Sequence, residues 1–316
     1  MQISYIFAVI FNLLLIEVSS QNRRTEFSNK DFINSDVRRT VDLTSSIIKV
    51  ETTLLIKSLR VDPTFTYRFP LLKNHSIHLV FIKAVLKSND GREEVSGVKI
   101  NKLNRIIDEH FDYYEVNFKN EPMNNEEERI LVINEDYFGR LDMLPKKIPV
   151  KEDQLVVFTD TQNFISVYST SDQRSEVIFP NDKTEILTYT ELNADKLRDR
   201  IIYHLSGVIE PLKTIPLRIH YEFNHPLMIF NQAQRIFEVS HWGNVAIEER
   251  YQIENVGAKL EGEFGRVDYD NHGRHGGMNA LKRLKAKLPL RSNNLWYRDE
   301  IGNVSTSRAV RNVIII

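Results

Sequence analysis

The apolar positions of this chain recur mostly at every second residue. In "LRIHYEFN", Leu217, Ile219, Tyr221 and Phe223 alternate with Arg218, His220 and Glu222, the pattern of a strand with one buried face. "DYYEVNF" repeats it with Tyr114, Val116 and Phe118 on one side. From Arg38, "RRTVDLTSSIIKVETTLLIKSL" is rich in β-branched residues with short alternation, and "HSIHLVFIKAVLKS" leads to a turn at Asn89-Asp90-Gly91. "RILVIN", "QLVVFTD" and "SEVIFP" are short apolar strands bounded by turns, the last ending at Pro180. "RIFEVSHWGNVAIEERYQI" predicts two strands joined at Gly243-Asn244, a pair suited to a two-residue hairpin turn. Trp242, beside that turn, is expected to be a packing anchor rather than a sugar-stacking platform, because large aromatics dominate core burial.

Helical signals are few. "NADKLRDRIIYHLSG" has a cap candidate at Asn193 and apolar residues at Leu197, Ile201 and Leu205. "MNALKRLKAKLP" is a short basic amphipathic stretch ending at Pro289. Many short strands with few helices predict a mainly β chain, with two antiparallel β-sandwich-like domains. The first spans residues 37–230. The second, 231–316, holds about half the strands of a two-sheet sandwich and is expected to be incomplete. Residues 21–36 lack periodicity and are expected to form a flexible lead-in.

The start of the chain changes the picture. "MQISYIFAVIFNLLLIEVSSQ" has an apolar core from Ile6 to Ile16 with small residues at Ser19 and Ser20, which predicts a signal peptide over 1–20 cleaved after Ser20. A membrane anchor is the rival reading, but the run is only about half of the ~20 residues a span needs. No later stretch approaches that length, so a lumenal or secreted chain is expected. The sequence has no cysteine, which excludes disulfides, thiol catalysis and Cys-ligated metals. With 42 basic and 43 acidic residues the net charge is -1, which favours no nucleic-acid partner.

Catalytic patterns are absent from the sequence. His272 and His275 stand three apart in "NHGRHGG" without a third ligand, so no metal site is expected. No hydrolase elbow, phosphate loop or dinucleotide fingerprint is present, and no cofactor is expected. Glu248-Glu249 and Asp299-Glu300 could do acid–base work, but such pairs are more often solvated strand ends. Lys282, Arg283, Lys285, Lys287 and Arg291 form a basic cluster open to anionic lipid, to an acidic partner or simply to solvent. Asn303-Val304-Ser305 and, less favourably placed, Asn74-His75-Ser76 satisfy the N-glycosylation rule.

Two stretches carry more. "RIFEVSHWGNVAIEERYQIENVGAKLEGEFGRVDYD", Arg235 to Asp270, and "WYRDEIGNVSTS", Trp296 to Ser307, resemble the ribophorin I family, first subunits of the oligosaccharyltransferase complex of the endoplasmic reticulum. Weaker similarity reaches back through "LRIHYEFN", "QLVVFTD" and "RRTVDL" to cover 37–307, and the match stops after Ser307. The resemblance implies a non-catalytic subunit on the lumenal side, with two β-rich domains, the first akin to the amino-terminal sandwich of certain aminopeptidases. It implies partnership with the other subunits, including the catalytic one, and with nascent polypeptides. For full-length members it implies a single membrane span and proximity to translocon and ribosome. This chain is then expected to be a C-terminally truncated form, lacking the rest of the second domain and the span. A secreted β-sandwich binding module, or an independent lumenal enzyme, is the alternative.

Overall fold

The computed structural model describes residues 30–87, 98–103, 108–118, 122–150, 152–263, 265, 267, 284–289, 292–303, 308–310 and 313–315. The signal peptide, the cleavage position after Ser20, most of the lead-in and His272 and His275 lie outside them. The chain is mainly β, in several predominantly antiparallel sheets. It divides into two compact units, one of Met1–Asp142 and Leu155–Phe223, the other of Met143–Gln154 and Asn224–Ile316.

The first unit is layered. Its large sheet runs, in spatial order, β13 (Ala194–Lys196), β14 (Arg200–Ile209), β11 (Thr170–Ile178), β1 (Phe32–Asp42), β2 (Ile47–Ser58), β7 (Glu128–Phe138) and β4 (Leu79–Lys87). Only the β1–β11 pair in this sheet is parallel. A second sheet orders β12 (Ile186–Tyr189), β15 (Pro216–Glu222), β10 (Leu155–Thr161) and β8 (Leu141–Met143). A third holds β3 (Thr66–Leu72), β6 (Phe111–Asn117) and β5 (Lys99–Lys102). A single-turn helix, α1 (Lys73–Ser76), follows β3.

Strand register explains the core. One inward row of the large sheet reads Leu205, Gln173, Val37, Leu54, Leu131 and Leu86. Its Val37, Leu54, Leu131 and Leu86 pack with Tyr67, Phe69, Val116 and Phe164 into an apolar cluster, where Phe32, Tyr67 and Tyr168 meet with ring centroids 4.9–5.5 Å apart. Such aromatic contacts add about 0.5–1.5 kcal/mol each beyond area burial. The next inward row is different in kind: Tyr203, Ser175, Arg39, Thr52, Ile133 and Ala84. Polar chemistry thus enters the interior along this row, with Gln173 in the row before it and Glu135, opposite Val50, in the row after.

Two expectations are corrected here. Residues 32–36 belong to β1 and not to a lead-in: Phe32 and Asn34 are buried, and a bulge between Asn34 and Asp36 breaks the alternation that would reveal the strand. Asn34 tolerates burial because its amide donates to Ser166 Oγ and Thr170 Oγ1, each at 3.1 Å, and accepts from the Tyr67 hydroxyl at 2.9 Å. The segment from Asn193 is β13 and β14, not a helix. Asn193 takes φ of +62° instead of capping, and Ile201, Tyr203 and Leu205 point inward at period two. Leu197, Ile201 and Leu205 fit a helical spacing by coincidence, since a spacing of four also satisfies alternation.

The second unit contains the hairpin of β16 (Met228–Val239) and β17 (Val245–Asn255). It also holds β9 (Lys147–Ile148) running parallel to β18 (Lys259–Leu260), and β19 (Lys285–Lys287) beside β21 (Val313–Ile315), which pairs in turn with β20 (Arg308–Val310). The described end of the basic stretch is therefore strand β19, not helix. The hairpin closes through Ser240–Asn244, five residues instead of two, with Ser240 N–H donating to Asn244 C=O at 2.9 Å and Gly243 at φ +86°.

Candidate functional site

Chemistry concentrates at two places, one sealed and one open. The sealed one is the polar layer of the first unit. Arg39 on β1 donates to Asp160 Oδ2 on β10 at 2.9 Å and to the Thr161 carbonyl at 2.8 Å, bonding the two sheets to each other. Asp160 Oδ1 accepts from its neighbour Thr161 N–H at 2.8 Å, with His75 Nδ1 of α1 and Arg140 Nη2 each 3.5 Å away. Arg140 also donates to the Thr159 carbonyl at 2.8 Å, and its guanidinium lies 4.8 Å from the Tyr137 ring centre and 5.2 Å from that of Phe158. On β7, Tyr137 donates to Glu135 Oε2 at 3.0 Å.

Each member is buried, and the ionisation equilibria show it. Burial pushes the Asp160 carboxyl upward, but Arg39, Arg140 and His75 outweigh it and hold Asp160 well below the usual carboxylate range. Burial lowers His75 to about 4 despite Asp160 beside it, so the imidazole is neutral. Burial raises Glu135 to about 7 against the pull of Arg39 and the Tyr137 hydrogen bond.

These shifts set a pH profile for folding. Glu135 has a folded-state pKa above its usual 4.5, so its contribution is complete below that value and is lost as pH rises through about 7. His75 shifts the other way: its contribution is complete above the usual 6.5 and is lost as pH falls toward about 4. Between 4.5 and 6.5 the two slopes oppose, and first-unit stability is expected to be nearly flat. Urea titrations at stepped pH check this. Glu135→Gln should leave a rise of about 1.4 kcal/mol per pH unit across that window, and His75→Asn a fall of similar size. Parallel profiles for all three proteins would contradict the assignment.

The open place is the hairpin. Beyond a bulge between Phe230 and Gln232, the register puts Ala233, Arg235, Phe237 and Val239 opposite Tyr251, Glu249, Ile247 and Val245 on one face. Phe230 joins that face, its ring 5.7 Å from that of Tyr251. The other face carries Gln232, Gln234, Ile236 and Glu238 opposite Gln252, Arg250, Glu248 and Ala246. The hairpin is thus amphipathic, yet its apolar face is exposed: Phe237 is 59% accessible, Val239 72% and Val245 57%. Such a patch is unusual on a free surface, and a lone two-stranded ribbon is marginally stable.

Trp242 sits at the tip and is 92% exposed, which corrects its expected role as a buried anchor. The five-residue loop carries its side chain past the last cross-strand pair, Val239–Val245, where no facing strand can cover it. Glu249 is engaged by Arg235 and by the Tyr251 hydroxyl, and Glu248 by Arg250, so neither is a free base. Asn303 is exposed and bridges to Arg298, in a turn that Asp299 Oδ1 organises by accepting from Ile301 and Gly302 N–H at 2.9 Å. Val304 and Ser305 lie outside the described residues. Asn74 is exposed on α1, while Ser76 is buried with its hydroxyl 3.2 Å from that of Tyr114. Among the described residues no group of three metal-ligating side chains occurs and no helix is long and apolar enough to cross a membrane. The sequence reading missed the ionic layer, although the signal was there: Arg39 stands where Val37 and Val41 require an inward residue, and Glu135 between Ile133 and Tyr137.

Fold and surfaces together define a mainly β protein whose ionic cluster around Asp160 is walled in and whose β16–β17 hairpin turns an apolar face outward. The chain belongs to the ribophorin I family, whose model, described as Ribophorin I, matches residues 32–315 and so extends past the 37–307 read from the sequence. It is 33% identical over 278 residues to dolichyl-diphosphooligosaccharide–protein glycosyltransferase subunit 1 of Caenorhabditis elegans, covering 88% of this chain and 46% of that protein. Subunit 1A of Arabidopsis thaliana is 27% identical, over 88% of this chain and 45% of its own length. The chain spans about half the length of these curated relatives. Among solved structures, native yeast LTA4 hydrolase is similar with a TM-score of 0.35 at 13% identity, over 72% of this chain and 34% of that one.

Proposed function

We propose that this chain serves as a non-catalytic accessory subunit of the oligosaccharyltransferase complex on the lumenal side of the endoplasmic reticulum, supporting assembly and the presentation of nascent N-x-S/T acceptors. The observation that carries the reading is the uncovered apolar face of the β16–β17 hairpin, which lies within the residues the family model matches. Such a face suits packing against another polypeptide layer, here the other subunits of the complex, the catalytic one included. Support for a non-catalytic role comes from the ionic layer: its shifted groups sit between sheets, where no substrate reaches them. The shallow groove of about 410 Å³ on the outer face of the large sheet is lined by mixed charges, among them Asp36, Arg38, Arg174 and Glu176, that neutralise one another. Expression of the tagged chain in cells tests the reading. Recovery of the complex's other subunits is expected, whereas secretion of the chain alone into the medium would favour a binding module.

Asn303 and Asn74 are proposed as glycan acceptors, since both are exposed and a glycan on either meets no packed neighbour layer. Endoglycosidase treatment should shift the mass of the wild-type chain and shift Asn303→Gln less. An equal shift in both would remove Asn303 from the proposal.

A further inference from the structure

Several buried polar atoms have no partner among the described residues, Thr52 Oγ1 and the Tyr203 hydroxyl of the polar row included, and two in the ionic layer are an acceptor and a donor in neighbouring groups. Glu135 Oε1 and Arg140 Nη1 are buried without a hydrogen-bond partner among the described residues. They belong to adjoining groups: the Arg140 guanidinium lies against the Tyr137 ring, and the Tyr137 hydroxyl is bonded to Glu135 Oε2. An orphaned buried donor and an orphaned buried acceptor in one cluster are each costly, and a proton or a second arrangement relieves that cost.

We propose that Glu135 and Arg140 form a proton-operated latch, open while Glu135 carries a proton and closed by an Nη1–Oε1 ion pair once it is ionised. In the open arrangement Arg140 Nη2 stays on the Thr159 carbonyl of β10 and near Asp160, while the protonated carboxyl keeps only the Tyr137 bond. In the closed one the same guanidinium bonds Glu135 with Nη1 without giving up Thr159, so a single side chain ties β7 to β10. The groups facing Glu135 set its balance. Arg39 from β1 and Arg140 from the turn favour ionisation, Asp160 from β10 opposes it, and the Tyr137 hydroxyl donates to the ionised form. His75 of α1 faces Asp160 and Arg140 from the other side, with His78 of its flank acting on His75 and lying 3.0 Å from the Phe138 carbonyl; His75 is neutral at neutral pH, its own proton being lost far below neutrality. Glu135 itself exchanges its proton close to neutral pH, which places the latch within the range a secretory compartment could sample.

The position of Arg140 gives the latch a consequence. It follows Gly139, whose φ of +75° makes the turn after β7, and stands three residues before Met143, where the chain enters the second unit. Closing the latch steadies the turn that leads there.

Hydrogen exchange of the full chain, corrected for intrinsic rate, reads this out at the amides of 139–142. Their protection is expected to rise several-fold as pH passes upward through about 7. Glu135→Gln should abolish the step and hold protection at the low-pH level, while His75→Asn should leave the step in place. Loss of the step in His75→Asn but not in Glu135→Gln would overturn the proposal, as would protection that ignores pH in the wild type. Should Glu135→Gln fail to fold, the infrared carbonyl band of a buried protonated carboxyl decides the matter in the wild type. Its disappearance as pH rises through about 7 supports the latch, and its absence at all pH values rejects it.

Discussion

Replacing Asp160 by Ala is expected to remove about 3–5 kcal/mol from the first unit, because it strands Arg39 and Arg140 between sheets without their counter-charge. The loss goes beyond one ion pair. Thr161 N–H loses its acceptor, and Arg39 retains only the Thr161 carbonyl. Urea unfolding followed by exchange protection of β1 and β10 measures it. The double variant Arg39→Met with Asp160→Leu should recover the part of the loss that comes from stranding Arg39, since an apolar pair replaces a buried charged one at little cost, while Arg140 stays without Asp160. A double variant as unstable as Asp160→Ala would show instead that the charges do more than satisfy one another.

Phe69→Ala is the second large effect, also about 3–5 kcal/mol. Phe69 is fully buried, stacks on Tyr114 at 5.8 Å and meets Phe164 at 5.7 Å. Truncation leaves a cavity among rings held by three separate segments, which cannot close around it without shifting β3 or β6. Loss of less than about 1 kcal/mol in the same urea experiment would mean that the core repacks freely there.

How much of this was visible in the residues depends on how far each segment obeys one period. β15 was legible because it faces the core with one side and keeps its alternation, and β10 because its short apolar run, buried on both faces, is bounded by polar turns. β14 was not, since its apolar residues satisfy two periods at once and only the opposing strand β11 selects between them. The entry of β1 was hidden by a bulge and by Asn34, a polar residue whose side-chain partners, Tyr67, Ser166 and Thr170, lie on distant segments. The ionic layer is a similar case. Arg39 is recognisable as an inward residue from its neighbours, but Asp160 and His75 become its companions only through sheet packing. Trp242 was misjudged from its type: a large aromatic is usually buried, but a loop tip has no opposite strand to bury it.

The two faces of the hairpin offer the most direct test of complex membership. Phe237 and Ile236 are adjacent in sequence and lie on opposite faces of β16. Tagged chains carrying Phe237→Lys or Ile236→Lys, expressed alongside wild type, differ only in which face receives the charge. Ile236→Lys should recover the other oligosaccharyltransferase subunits as wild type does, while Phe237→Lys should lose them by at least about tenfold, the scale of a central interface residue. Equal recovery by both variants, or no recovery by wild type, would contradict the account.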